Sequence, residues 1–528
     1  MPARAERLAC EPKVVGIEPS PASRVLLIGT RETVAEVRAQ VVAAGLEPRV
    51  AGTVLVRDDG TLDGALGGAS QAIVCLPESR ASDRARIVDD LRSRGVAVRC
   101  ATPAAELLGT AVTASAAEHQ WRSAPTIDLA ELIGRTPREL DRDAIARVLT
   151  GKRVLITGAG GSIGSHLAQV AAEFNPASLV LVERSENALF EIDRQLGRRF
   201  PGVARRAVLH DIVDEDATAR QLMALSPQVV FHAAAHKHVP LMEDHPAHAV
   251  ANNVLGTKSI ADASVACGAE RFVMISSDKA VNPASVMGAT KRLAELYVRW
   301  LGSAQDRTRT SMVRFGNVLG SACSVLTIWS SQIAEGGPVT VTDPRMTRYF
   351  MTIPEAAALV IASTTLDDQA PGGVFVLDMG EPIRIVDLAR RFVAAHGLRP
   401  RLRYSTLPEG VVAIARDLGG ADEGPAGAPA MDIVFTGSRP GEKVHEELAY
   451  AAENLAPTQH PGIRAWSGLA LTPDGGPHSD GARLTRLAVE RMLAELREAC
   501  ASNDPAAVVA AIERHVPEMR RRSRASAA

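Results

Sequence analysis

Short apolar runs alternate with amphipathic stretches of helical period along most of the chain. This is the pattern of strands feeding crossover helices in a parallel sheet. The first set comprises RVLLIG (Arg24–Gly29), QAIVCLP (Gln71–Pro77) and VAVRC (Val96–Cys100), separated by TRETVAEVRAQVVAAG and SRASDRARIVDDLRSRG. It predicts a small β-α-β-α-β domain over residues 24–117, after a tail at 1–23 that has Pro and Ser but no periodicity. A polar, helix-prone connector at 118–150 contains IDLAELIGRTPRELD. The second set opens with RVLITG and continues through SLVLVE, RAVLHD, QVVFHA and RFVMIS. Strands at this spacing, joined by helices, predict a doubly wound parallel sheet with both faces covered. Beyond Asn317 the pattern loosens into α+β, with strands VFVLDM and MDIVFT around a Gly/Ala/Pro-rich loop, Gly419–Ala430. This larger domain spans 151–455, and 456–528 forms a C-terminal helical segment and tail. The expected fold class is α/β: a doubly wound Rossmann domain with an α+β substrate part, preceded by a smaller Rossmann-like domain.

Composition narrows the partners. The 59 Lys and Arg nearly balance the 61 Asp and Glu, leaving a formal charge of −2, which argues against nucleic acid as a main partner. The basic run from Arg520 to Arg524 sits at the extreme end and is expected to be a frayed tail. Six scattered cysteines without a C-x-x-C pair point to a reduced, cytoplasmic chain. The first residues lack the apolar core of a signal peptide, and no apolar run approaches the ~18 residues needed to cross a bilayer. A soluble protein without a membrane span is expected.

The strand ending at Thr157 runs straight into Gly158-Ala-Gly-Gly161-Ser162-Ile163-Gly164 and then a helix. Gly158 permits the tight turn, Gly161 lets backbone approach a pyrophosphate, and Gly164 lets the helix pack on the strand. The helix N-terminus adds free N–H groups and partial positive charge. Glu183 ends the next strand, where a carboxylate would accept the adenosine ribose hydroxyls and favour NAD. Arg184 beside it could pair instead with a 2′-phosphate, so NAD and NADP both stay open, with the balance toward NAD. Asp211-Ile212 ends the third strand, a usual place for adenine contacts. In the first domain a single Gly29 stands where a dinucleotide site would want three, which points to a structural or regulatory role there.

The strand RFVMI delivers Ser276-Ser277-Asp278-Lys279 to its C-terminal edge, where doubly wound sheets hold ligands. On the following helix Lys291 lies one turn beyond Met287, on the same face. The pattern resembles the Ser, Tyr-x-x-x-Lys arrangement of short-chain dehydrogenases, with Met287 in the tyrosine's place. Together with SSDKAVNP, VMGATKR, HAAAHKHVPLME, NNVLGTK, RFGNVLGS, MTRYFMTIPEA and SRPGEKVHEEL, it resembles the nucleotide-sugar 4,6-dehydratases of bacterial polysaccharide biosynthesis. The likeness is to the large-chain branch of that extended short-chain dehydrogenase family and covers residues 96–450. Members of this branch typically begin with transmembrane helices, so a soluble variant is expected. His236 stands where Tyr is usual, Ala322-Cys323 replaces a common Arg-Gly, and Asp343 replaces a frequent His.

The resemblance implies a UDP-sugar substrate, UDP-N-acetylglucosamine first, and a tightly bound NAD or NADP regenerated at each turnover. It also implies an assembly of like subunits. In the implied reaction the sugar is oxidised at C4, H5 is removed, the C6 hydroxyl leaves as water, and the hydride returns to C6. Lys279 would be the C5 base and Asp278 the acid at O6. A lysine base acts neutral, so the pKa of Lys279 is expected to be lowered by burial or by a cation such as Lys291. Ser277 would bond O4 and Lys291 would hold the nicotinamide ribose. Met287 offers shape but no proton. Ser162, Ile163 and Ala233 join the cofactor set, and Lys237, Asn317, Arg348, Arg439 and Glu442 the substrate set. A nucleotide-sugar epimerase and a non-catalytic sugar-nucleotide-binding regulator are the competing functions. His232, His236, His238, His245 and His248 lack a ligand pattern such as H-E-x-x-H, so no metal is expected.

Overall fold

The computed structural model describes residues 25–100 except 32, 36, 39–49, 58–60, 64–70, 77–79 and 95. It also describes 127–519 except 137, 139, 322–323, 367–371, 405–427, 440, 451–452, 454 and 467–484. The chain divides into two compact units, Met1–Ser115 and Ala116–Ala528. The expected tail at 1–23, the Gly419–Ala430 loop up to residue 427 and the basic terminal run lie outside the described residues.

In the first unit, strands β1 (Val25–Gly29), β2 (Val50–Val56), β3 (Leu62–Asp63), β4 (Gln71–Cys75) and β5 (Ala97–Cys100) form one sheet in the order β3-β2-β1-β4-β5. All neighbours are parallel except β2 and β3. Helix α1 (Ala81–Ser93) carries Ile87 and Leu91 into a core with Leu26, Ile28, Val54 and Val74. The sequence pattern omitted β2, whose Gly52 and Thr53 interrupt its apolar positions. A Cβ at Gly29 would lie 2.2 Å from the Cys75 carbonyl oxygen. That glycine therefore serves the close approach of two strand ends.

The second unit is built on a nine-stranded sheet. Its strands are β6 (Arg153–Thr157), β7 (Ser178–Glu183), β8 (Arg205–Leu209), β9 (Val229–His232), β10 (Arg271–Ile275), β11 (Arg309–Arg314), β12 (Gly373–Leu377), β13 (Leu455–Pro457) and β14 (Ile463–Trp466). The order is β13-β14-β12-β11-β10-β9-β6-β7-β8. The run β8 to β11 has the 3-2-1-4-5-6 order of a Rossmann sheet, so the crevice at the switch point opens between β6 and β9. β6 and β9 are buried along almost their whole length, which explains their unbroken apolar runs. VFVLDM departs from expectation: as β12 it pairs parallel with β11 and extends this sheet. The stretch after 455, expected to be helical, opens with the antiparallel strands β13 and β14.

Both faces are covered. Helices α2 (Leu129–Leu132) and α3 (Arg142–Leu149) come from the connector and are capped by Asp128 and Asp141. α3, α4 (Ser162–Ala172), α5 (Glu186–Arg199) and α7 (Ile353–Ser363) cover one face with Ile145, Leu167, Ile192 and Leu359. α6 (Val286–Ala304), α8 (Arg486–Ala501) and α9 (Pro505–His515) cover the other with Leu293, Val298, Leu496 and Ile512. Arg135 binds the connector to this unit by pairing with Glu355 at 2.7 Å. A separate core around Trp329, Phe392 and Ile433 underlies the small parallel sheet of Val339–Val341, Ala430–Phe435 and Arg399–Arg403. No helix among the described residues is long and apolar enough to cross a membrane.

Candidate active site

The turn after β6 is shaped by glycines for two different reasons. Gly158 has φ +64°, and a Cβ there would press on the backbone of Ala233 and Ala234 within 2.9 Å. A Cβ at Gly164 would lie 2.0 Å from the Gly158 carbonyl oxygen. Gly160, which the sequence argument passed over, leaves room for Ala188 of α5, where a Cβ would come within 2.5 Å. Gly161 is the N-cap of α4 and supplies no side chain to it. The first turn of α4, beginning at Ser162 and half-buried Ile163, therefore suits a pyrophosphate by its dipole and its lack of a capping side chain.

Glu183 is fixed at the end of β7. Its Oε2 accepts from Gly160 N–H at 3.2 Å, and Oε1 accepts from Arg184 and Ser185 N–H at 3.0 and 3.1 Å. Oε2, with a single partner, keeps a lone pair for a ribose hydroxyl. The Arg184 guanidinium instead pairs within the chain, with the His236 ring and, at 4.0 Å, with Asp211. Ile212 is buried beside Gly256.

At the C-terminal edge of β10 the backbone is pinned by Ser276 N–H to Val313 carbonyl and Asp278 N–H to Phe315 carbonyl. Asp278 is fully buried. Its Oδ1 accepts from the Ser277 hydroxyl at 2.8 Å and from Lys279 Nζ at 2.9 Å. Lys279 Nζ also donates to Asn317 Oδ1 at 3.2 Å. Asp278 Oδ2 is buried without a partner, and a Cβ at Gly316 would lie 3.4 Å from it.

The charge state of Lys279 overturns one expectation. Burial alone would lower its pKa, but the Asp278 and Glu446 carboxylates together outweigh burial and the opposing Arg348. The result is a pKa above the ordinary lysine value, so Lys279 stands as an ammonium. Desolvation loses because two carboxylates are buried with the amine. Lys291 behaves oppositely: burial pulls it down to about 8, against the pull of Glu295. It donates to the Ile275 carbonyl from α6, one turn beyond Met287, and both side chains are buried. His232 is held between the Thr157 and Thr257 hydroxyls at 2.8 and 2.9 Å. Burial and then Lys291 push its pKa to about 3, so it is neutral. Among the described residues, no group of three or more His, Cys, Asp and Glu is arranged to hold a metal.

Residues 443–450 clasp the loop that follows β10. Lys443 Nζ donates to Val281 carbonyl at 2.6 Å, Tyr450 hydroxyl to Ala280 carbonyl at 3.1 Å, and Asn282 Nδ2 to Glu447 Oε2 at 2.8 Å. Arg348 was expected on the substrate, yet its guanidinium donates to the carbonyls of Thr347, Lys443 and Val444. It is a brace for this segment. Lys237 and Arg439 are exposed, and Glu442 is half-buried, receiving Arg439 N–H at 3.2 Å. The structure thus gathers Ser277, Asp278, Lys279 and Asn317, with Lys291 and Met287 on the neighbouring helix.

Two supports were missed. Ser276 donates to Glu295 at 2.6 Å, and Glu295 pairs with Arg314 at 2.7 Å, which also reaches Glu453 at 2.7 Å. Burial would raise Glu295, but Arg314, Arg292 and Ser276 hold it down at about 2. Asn253, in a π-helical turn at Ala251–Leu255, bonds the His236 backbone on both sides and the Thr290 hydroxyl. Charged residues within an apolar helix and strand, and the NNVLGTK repeat of amides, were the available signals.

This fold defines a Rossmann-type protein of the extended short-chain dehydrogenase class, with a buried carboxylate bonded to a lysine at the β10 edge and a dinucleotide-type turn after β6. Residues 154–467 match the family of polysaccharide biosynthesis proteins, and the chain belongs to that family. It is 46% identical over 341 residues to the probable polysaccharide biosynthesis protein EpsC of Bacillus subtilis, covering 63% of this chain and 51% of that one. The chain thus spans about half the length of this relative. It is 30% identical over 264 residues to a UDP-N-acetylglucosamine 4,6-dehydratase (inverting) of Campylobacter jejuni, covering 49% of this chain and 75% of that one. Among solved structures, Pen from Bacillus thuringiensis is 28% identical with a TM-score of 0.49, covering 61% of this chain and 89% of that one.

Proposed function

We propose that the chain is a nicotinamide-dependent nucleotide-sugar 4,6-dehydratase that acts on UDP-N-acetylglucosamine. The observation that carries this is a buried carboxylate with one unpartnered oxygen, Asp278, bonded to the Lys279 ammonium at the strand edge. Elimination needs an acceptor and a donor of protons side by side, and epimerisation at C4 does not.

NAD or NADP would be held by the Gly158–Gly164 turn, Glu183 and Lys291, and when bound supplies a hydride acceptor that later returns the hydride. Ser277 Oγ donates a hydrogen bond to Asp278 Oδ1 and keeps a lone pair for the C4 hydroxyl, whose proton passes to water as C4 is oxidised. Asp278 Oδ2 is the free acceptor for the C5 proton and gives it back to C5 when the hydride returns to C6, while the Lys279 ammonium donates to the departing C6 oxygen and is recharged from water. This reverses the allocation implied by the resemblance, because the mobile proton rests on Lys279. Lys291 holds positive potential behind the strand edge. Asn317 orients Lys279.

Purified protein incubated with UDP-N-acetylglucosamine is expected to yield a product lighter by one water. A product of unchanged mass with inverted C4 would establish the epimerase instead.

A further inference from the structure

Arg184 leaves the end of β7, yet its guanidinium is held by two other loops. One terminal nitrogen donates to Nε2 of His236, after β9, and the other lies 4.0 Å from Asp211 Oδ2, after β8. In the order β9-β6-β7-β8 the glycine turn after β6 lies between Arg184 and His236. Their bond therefore crosses the mouth of the switch-point crevice, on the side where β7 receives the adenosine half of a dinucleotide. A guanidinium only donates, so Nε2 accepts and the ring proton sits on Nδ1. The ring is neutral, because burial first and then the Arg184 charge hold its pKa below the ordinary histidine value. Its Nδ1 is buried without a partner, which leaves the bond to Arg184 as the ring's one hydrogen bond among the described residues. The backbone beneath is fixed: Asn253 Oδ1 accepts from His236 N–H at 2.8 Å, and Asn253 Nδ2 donates to its carbonyl at 3.0 Å.

Glu183 is set for a ribose hydroxyl, with Oε2 keeping a lone pair beside Gly160 N–H. A 2′-phosphate would bring roughly two negative charges to that carboxylate. Arg184 is the adjoining cation, and to answer the phosphate it must leave both His236 and Asp211. We propose that His236 is a specificity-determining residue: with Asp211 it withholds Arg184 from a 2′-phosphate, so that the site selects NAD over NADP. This rests on the nicotinamide-cofactor reading above and decides between the two forms that reading leaves open.

The test is calorimetric titration of the full chain, freed of any nucleotide that purifies with it, with NAD and with NADP. The wild type is expected to bind NAD at least about tenfold more tightly, since like charges brought together are costly. His236→Leu takes no charge from a neutral ring, so it acts by releasing Arg184. It is expected to raise NADP affinity roughly three- to tenfold and to leave NAD affinity within about twofold. His236→Gln, whose side-chain oxygen can accept from a guanidinium, is expected to keep the wild-type ratio. Asp211→Asn, at an exposed position, loosens Arg184 from the other side and is expected to shift the ratio in the same direction. Adding Arg184→Leu to either variant is expected to cancel the gain. A wild type that binds NADP as tightly as NAD would overturn the proposal. So would an unchanged ratio in His236→Leu, or in Asp211→Asn should the first variant not fold, and so would a gain that survives Arg184→Leu. Binding of neither dinucleotide would instead sink the cofactor reading, and this inference with it.

Discussion

A single methyl group at Gly164 should separate the shape of the cofactor turn from the rest of the fold. In Gly164→Ala the new carbon would lie 2.0 Å from the Gly158 carbonyl oxygen, where contacts below 3.0 Å are essentially never seen. The opposing atom is backbone, so α4 must retreat from the turn by about 1 Å. Overpacking of this kind costs about 1–3 kcal/mol, and a shift of that size in a binding constellation costs on the order of 10² in what it holds. Calorimetric titration with NAD and with NADP, paired with thermal melts, measures both effects. Cofactor affinity is expected to fall tenfold or more and the melting temperature by several degrees. Gly161→Ala is the contrast: its Cβ would meet the same carbonyl at 3.2 Å. Its stability should fall by less, about 0.5–1 kcal/mol for alanine in place of glycine at an N-cap, while cofactor affinity still falls because the methyl crowds the first turn of α4. A Gly164→Ala protein that binds cofactor and melts like the wild type would refute this account of the turn.

Asp278→Asn and Lys279→Ala should each cut turnover by about 10²–10⁴. Asp278→Asn should abolish exchange of the C5 proton with D₂O and Lys279→Ala should retain it; the opposite pattern would return the base role to Lys279. Arg314→Met leaves Glu295 and Glu453 without their shared cation and should destabilise the chain by about 3–5 kcal/mol, read by denaturant titration. Lys291 is held at about 8 in the folded chain, below its unfolded value, so between these the unfolded chain binds more protons. Its penalty on stability is full below pH 8 and fades as pH rises above it. Lys291→Met should therefore stabilise the ligand-free protein more at pH 7 than at pH 10, and a gain independent of pH would contradict the burial argument.

Much of this fold was legible because its central strands are buried on both faces. β6, β7, β9 and β10 read as continuous apolar runs bounded by turns, a signal that survives without long-range information. β2 was not legible, since Gly52 and Thr53 break its run and only the pairing with β1 makes it a strand. VFVLDM was recognised as a strand but misplaced, because sheet membership depends on the β11 edge and not on local pattern. The Ser277-Asp278-Lys279 cluster was found by motif. Its protonation was not, because motif matching does not weigh burial against the neighbouring Asp278 carboxylate, and Glu446, which adds to it, comes from a segment more than 160 residues away in the chain. The carbonyl partners of Arg348 were hidden for a related reason: a guanidinium suits a carbonyl cage as well as a diphosphate, and the packing of Lys443 and Val444 is not written in the local sequence.

The distribution of protons around the β10 edge explains how the site can work without a tyrosine at position 287. In the ligand-free chain His232 is neutral, Lys279 is charged, and Lys291 is poised near 8. Met287, packed in the core beside them, contributes no ionisable group, so it neither competes for the proton on Lys279 nor adds a charge that burial would penalise. A phenol would serve oxidation at C4, the step shared with epimerases. The elimination proposed above adds a second demand, an acceptor at C5 and a donor at C6, for which Asp278 and Lys279 stand side by side in one turn of chain. Their rigidity comes from behind: Ser276 is tied to Glu295, Glu295 to Arg314, and Arg314 to Glu453 on the segment that carries Glu446. The same buried ion network therefore ties the strand end that leads into the pair to the segment that carries Glu446.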